Sequence, residues 1–207
     1  MDRWSNVLDE IHKAKNSTTI NEGSVSCGSE ECHILNIPEA SLLFEIVSNT
    51  GGIVIDKWIR ILGQHGDNLK GIKHYNSNEV YPEKTRGLFI VATDVVGGLF
   101  AINISRFDEG NNDIWYFAPD TLEWEPLEMQ YNDFVSWALN GNVDDFYQSM
   151  RWENWRQECQ SISFDDAFLI YPFLWAKECN LETASKKIVP MDEIISLNYD
   201  YMVKLYR

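Results

Sequence analysis

Two stretches decide the fold: Gly87-Leu88-Phe89-Ile90-Val91-Ala92-Thr93 and Leu99-Phe100-Ala101-Ile102-Asn103-Ile104, joined through Asp94-Val95-Val96-Gly97-Gly98. Both are short, β-branched and aromatic. The link between them ends in a glycine pair, so together they predict a β-hairpin. Downstream, Asp113 to Phe117 reads as a third strand and Ala118-Pro119-Asp120 as a turn. Trp124 to Leu127 then begins a further strand, placed at an edge because Pro126 has no N–H to donate to a ladder. Upstream, Ile53 to Leu62 is a β-rich run with Ile53, Ile55, Ile59 and Ile61 on one parity. Trp58, Arg60 and Leu62 share the other with Asp56, giving a mixed face.

Helical periodicity brackets this centre. Trp4, Val7, Leu8 and Ile11 recur at helical spacing within residues 2–15. Residues 16–34, rich in Asn, Ser, Thr and Gly, read as a loop. Pro38 suits the first turn of a second helix carrying Leu42, Leu43, Ile46 and Val47, with Gly51 as its terminator. A polar connection fills Gly63 to Pro82. After the strands, Phe134, Val135, Ala138 and Leu139 form a helix stopped by Gly141. Val143, Phe146, Tyr147 and Met150 start another that runs to about Cys159, and Met191 to Val203 a last one. Phe164 to Trp175 is too aromatic to assign to a helix or a strand. The expected architecture is α+β, a mostly antiparallel meander with flanking helices in one domain over 1–207: an N-terminal helix and polar loop (1–35) before a core (36–200).

Composition narrows the function classes. In 207 residues, 17 Lys+Arg stand against 32 Asp+Glu, a net charge of −15, and aromatics make up 13%. Such aromatic content excludes a disordered acidic tail. The charge argues against nucleic acid or anionic lipid as a direct partner and leaves a basic protein as the partner it suits. No apolar run approaches the ~20 residues of a membrane span, and the first residues hold no apolar signal segment, so a cytoplasmic location is expected. Charge is also uneven. From Ile104 to Asp166, fourteen acidic residues against three arginines give −11 over 63 residues.

Catalytic patterns are sparse. Nucleophile elbows, zinc-protease helices and phosphate-cradling loops do not occur, and no cofactor is expected. Cys27, Cys32 and His33 have zinc-type side chains, but the spacing is wrong for a knuckle, and no metal is expected. Were the chain an enzyme for a small molecule, His65, Asp56, Asp94 and Tyr116 would be its first suspects. The favoured contact residues for a protein partner are Asp120, Glu123, Trp124, Glu125, Asp144 and Asp145. They join carboxylates to an indole that can anchor an interface.

Several blocks together resemble a catalogued bacterial family. They are Thr50-Gly51-Gly52-Ile53 with Trp58-Ile59-Arg60-Ile61-Leu62-Gly63, the hairpin quoted above, and Tyr116-Phe117-Ala118-Pro119-Asp120-Thr121-Leu122-Glu123-Trp124-Glu125-Pro126-Leu127. Tyr171-Pro172-Phe173-Leu174-Trp175 and Val189-Pro190 follow. The family is known only as a domain of unknown function, number twenty-six twenty-five in its series, and the resemblance covers roughly residues 36–200. The order of elements is also distantly similar to the SUKH superfamily, which includes the yeast cell-wall-assembly regulator and the Syd protein. That resemblance implies an antiparallel sheet wrapped by helices. It also implies a non-enzymatic immunity protein that neutralises a basic toxin such as a nuclease, or a regulatory scaffold. It supplies no catalytic residues.

Overall fold

The structure, a computed structural model, describes residues 3–66, 69–77 and 85–205. Seven strands, β1 (Thr18–Glu22), β2 (Thr50–Ile55), β3 (Ile59–Leu62), β4 (Leu88–Asp94), β5 (Leu99–Asn103), β6 (Asp113–Ala118) and β7 (Glu123–Gln130), pair in chain order. Every pairing is antiparallel, so the sheet is the expected meander. A separate hairpin joins β8 (Asp166–Tyr171) to β9 (Ser185–Pro190).

Helices cover both faces of the sheet. Leu99 lies opposite Phe117 and Phe100 opposite Tyr116, so Phe100 and Phe117 point to opposite sides. On one side α5 (Tyr131–Asn140) sets Phe134 against Phe100, ring centroids 4.7 Å apart. On the other, α8 (Met191–Leu205) stacks Tyr199 on Phe117 at 5.4 Å. Each such pair contributes about 0.5–1.5 kcal/mol beyond the area it buries.

The run Ile53–Leu62 is two strands, not one. The chain reverses at Asp56-Lys57, whose φ angles of 48° and 57° define a two-residue turn closed by Trp58 N–H donating to the Ile55 carbonyl at 2.9 Å. Parity survives, because Ile55 and Ile59 are four residues apart and face one another, as do Ile53 and Ile61. The supposedly mixed face is covered too: Arg60 is 1% exposed and Leu62 fully buried.

Other boundaries differ for local reasons. Residues 16–34 are not a loop but β1 followed by α2 (Val25–Ile34). β1 is an edge strand with a single large apolar residue, Ile20, so alternation is faint. α2 is mostly polar and lies close to α3 (Leu42–Asn49) at Gly28, where a Cβ would meet the Val47 carbonyl and the Ser48 Cα. α3 starts after Ser41, whose Oγ accepts from Phe44 N–H at 3.1 Å, rather than at Pro38. Gly51 is a β2 residue, since Thr50 ends the helix by bonding the Ile46 carbonyl. The predicted helix over Val143 to Cys159 is two single turns, α6 (Val143–Phe146) and α7 (Trp155–Glu158), followed by a 3-10 turn at Cys159–Ser161. Between them Tyr147 and Trp152 are drawn into an aromatic cluster instead. α1 (Arg3–His12) and β7 fall where expected, and Phe164–Trp175 contains β8. A short α4 (Ile72–Tyr75) lies in the polar connection, of which 67–68 and 78–82 are outside the described residues. No described helix is long and apolar enough to cross a membrane.

Candidate functional site

β7 is one of the two edge strands of the sheet, β1 being the other. Its inward positions are Trp124, Leu127 and Met129; Glu123, Glu125, Pro126 and Glu128 are exposed. Glu128 sits at φ 53°, within the irregular stretch of the β6–β7 ladder. Glutamates, a proline and an irregularity are what keep an edge from pairing with another chain. From Glu123 to Asn140 no lysine or arginine occurs, and the exposed Asp133 extends the negative strip into the first turn of α5.

The six predicted contact residues do not all share one side of the sheet. Tyr116 lies opposite Glu125, and Phe146 of α6 rests on Tyr116 at 5.1 Å. Glu123 and Glu125 therefore share a side with α6, which carries the exposed Asp144 and Asp145. Asp120 is half-buried in the β6–β7 turn, and burial raises its carboxyl pKa above the usual carboxylate range. Trp124 is half-buried, 5.5 Å from Phe117, and so packs on the opposite side from Glu125. Asp144 is bracketed by Arg151 and, at 2.9 Å, by Arg156. Asp145 accepts from the Asn142 amide. Of the six, the exposed carboxylates with no basic partner among the described residues are thus Glu123, Glu125 and Asp145.

Behind this side lies a buried polar centre. Asp94, fully buried, accepts four hydrogen bonds: from Val96 N–H (3.0 Å) and Gly98 N–H (2.8 Å) on one oxygen, from Tyr116 (2.7 Å) and Tyr147 (3.1 Å) hydroxyls on the other. Burial pushes its carboxyl up while these donors pull it down. A Cβ at Gly98 would overlap Asp94 Oδ2 and the Tyr116 hydroxyl, so the position needs glycine. The arrangement locks the β4–β5 hairpin to α6 and leaves no lone pair aimed at a substrate.

One step outward, the Arg151 guanidinium lies over Trp155 (3.9 Å), Trp58 (4.8 Å) and Tyr147 (5.2 Å) and pairs with Asp144. Trp58 also meets Trp152 at 5.8 Å. A contact chain therefore runs from surface Asp144 through Arg151 and Tyr147 to Asp94. Arg151 and Tyr147 are the residues that sequence reasoning missed. The available signal was an arginine flanked by Met150 and Trp152, an apolar setting unusual for an exposed cation.

Of the four enzyme suspects only Asp94 and Tyr116 come together. Asp94 and Tyr116 are sealed in the interior. The Asp56 carboxylate accepts from Ser17 N–H at 2.9 Å and pins the β2–β3 turn to the residue before β1. His65 is exposed beside a cavity of about 330 Å³ that Cys27, Gln64 and Leu69 also line. Nor do the thiols gather. Five residues apart on α2, Cys27 and Cys32 are turned about 140° from each other. Cys32 is buried against Ser48, and burial raises its thiol pKa. Among the described residues no group of three or more His, Cys, Asp or Glu side chains could hold a metal ion.

The profile of the family described as "Protein of unknown function DUF2625" matches residues 2–194. The match takes in the N-terminal 35 residues as well as the core. The uncharacterised protein YbfG of Escherichia coli (strain K12) is 32% identical over 197 residues, covering 95% of this chain and 90% of that protein. An uncharacterized protein of Haemophilus influenzae is 30% identical over 175 residues, covering 83% and 77%. No solved structure matches.

Proposed function

We propose that this chain, which belongs to the family described as protein of unknown function DUF2625, is a non-enzymatic binding module for a basic protein. Its partner is of the kind an immunity protein neutralises, such as a nuclease toxin with a positive cleft. One observation carries the reading: Glu123, Glu125 and Asp145 lie exposed on one side of the sheet, and no cation occurs from Glu123 to Asn140. A negative strip without internal neutralisation attracts a basic surface and speeds encounter. Asp144 contributes less, because Arg151 and Arg156 already share its charge. Trp124 contributes packing beneath the strip rather than an exposed anchor.

The test is co-purification from the chain's own cell with the native chain and with Glu123→Lys/Glu125→Lys/Asp145→Lys side by side. The reading expects a basic protein retained by the native chain, released by salt, and lost by the variant. Equal capture by both, or captured proteins of no particular charge, would overturn it. A scaffold that serves several partners through the same side would retain two or more that compete.

A further inference from the structure

The opposite end of the sheet holds a cation where the fold offers it little. Arg60 projects from β3 on the side that Val54 and Thr93 share, directly opposite both in register. It is 1% exposed. One guanidinium nitrogen, Nη1, donates to the Asp166 carbonyl; the other, Nη2, is buried with no hydrogen-bond partner among the described residues. The nearby carboxylates are engaged elsewhere. Asp165 accepts from Lys70 N–H at 3.0 Å, the Asp166 carboxylate from Ser163 at 2.7 Å, and Asp94 from its four donors. Burial lowers the guanidinium pKa, against the pull of Tyr75, Asp94, Cys159 and Asp165 at longer range.

A second orphan donor shares the same space. Asn21 of β1, whose Nδ2 is also buried without a partner among the described residues, lines with Arg60 a cavity of about 130 Å³. Lys57 completes the cationic part of the wall, and Phe164 closes it from the segment that follows α7. Among the described residues no Asp or Glu contributes to the lining, in a chain whose net charge is −15. Pockets for drug-sized ligands run to about 300–1,000 Å³, so this one encloses a single small group. Buried donors left without acceptors point to an ion or polar group that completes them.

We propose that this cavity is an oxyanion site: it takes one phosphate- or sulfate-sized group on Arg60 Nη2, Asn21 Nδ2 and Lys57 Nζ. The group is either a free ion or the terminal group of a small molecule whose remainder lies outside the cavity. The donor set suits this chemistry, since a guanidinium presents directed N–H groups to an oxyanion, an amide adds a neutral donor and an ammonium adds charge. The site is independent of the acidic strip and calls for no reaction at the bound group.

Calorimetric titration and thermal melts of the full chain test it, with inorganic phosphate and with phenyl phosphate, each against chloride at matched ionic strength. The expected result is saturable one-site binding and a melting temperature that rises with phosphate but not with chloride. Asn21→Leu and Lys57→Asn, the latter chosen because Asn tolerates the positive φ there, should each weaken binding by about tenfold, a change of ~1.4 kcal/mol. Both should melt near the native temperature without phosphate. Arg60→Met should abolish binding; if it fails to fold, the Asn21 and Lys57 variants still decide. Tighter binding of phenyl phosphate assigns the site to a terminal group, and binding of inorganic phosphate alone assigns it to a free ion. Stabilisation that chloride reproduces, or native affinity in both Asn21→Leu and Lys57→Asn, would overturn the proposal.

Discussion

The two ends of the seven-strand sheet treat charge in opposite ways. At the β7 end, carboxylates stand in solvent and no lysine or arginine occurs in β7 or α5. At the β1–β3 end a guanidinium is buried and no carboxylate bonds to it among the described residues. Exposed like charges cost little at physiological salt and act at a distance, so β7 can vary its charge without losing the fold. A buried charge is costly to leave incompletely paired, so Arg60 is tied to what surrounds it. Between the two ends, Asp94 and Arg151 show the intermediate solution, buried charges that are supplied with donors or aromatic faces.

The largest expected effect lies at the centre. Asp94→Ala strips the acceptor from two tyrosine hydroxyls and two backbone N–H groups, and should destabilise by about 3–5 kcal/mol in urea unfolding. A loss under ~1 kcal/mol would mean that the hairpin holds without it. Next comes Arg151→Met, expected to lose about 2 kcal/mol through its three ring contacts and the Asp144 pair. Arg151→Lys should rescue only part, because an ammonium cannot lie flat on indole. Arg156→Ala, exposed, should change stability by less than ~0.5 kcal/mol.

Asp120 gives the pH dependence. Its folded carboxyl pKa is raised above the unfolded value, so the proton is held more tightly in the folded state. Its contribution is favourable below the ordinary carboxylate range and is lost as pH rises through the raised value. Asp120→Asn should therefore be the more stable form at pH 7, by under about 1 kcal/mol. The advantage should vanish on acidification below the usual carboxylate pKa, read from unfolding midpoints across pH. An advantage that grows on acidification would contradict the sign. Smallest of all is Glu123→Gln/Glu125→Gln, within ~0.5 kcal/mol of native stability, since neither side chain is buried.

The parts of the fold legible in sequence are those whose pattern is set by burial of one face. β4, β5, β6 and α5 bury regular apolar faces, and the glycines of the β4–β5 link and Pro126 of β7 mark turn and edge. β1 and α2 escaped because polar residues dominate both, and the reason for α2's place, Gly28 against the α3 backbone, is an absence of side chain. The reversal at Asp56-Lys57 escaped because neither residue is Gly or Asn, and the positive φ at both depends on the strand pairing around them. Of the candidate site, the exposure of Glu123 and Glu125 follows from the edge that Pro126 announced. Neutralisation of Asp144 could not be read, because it depends on Arg151 and Arg156, seven and twelve residues downstream. Burial of Arg60 was hidden in the same way: alternation assigns it a face but not the segment that closes over that face.

The Glu123–Glu125–Asp145 side is proposed to meet a basic protein through long-range attraction. The most direct test is the association rate with the co-purified partner as ionic strength is raised, for the native chain and for the triple lysine variant. The native rate should fall steeply with salt, and the variant rate should be slow throughout and nearly flat. Superimposable rates for the two proteins at every salt concentration would contradict it.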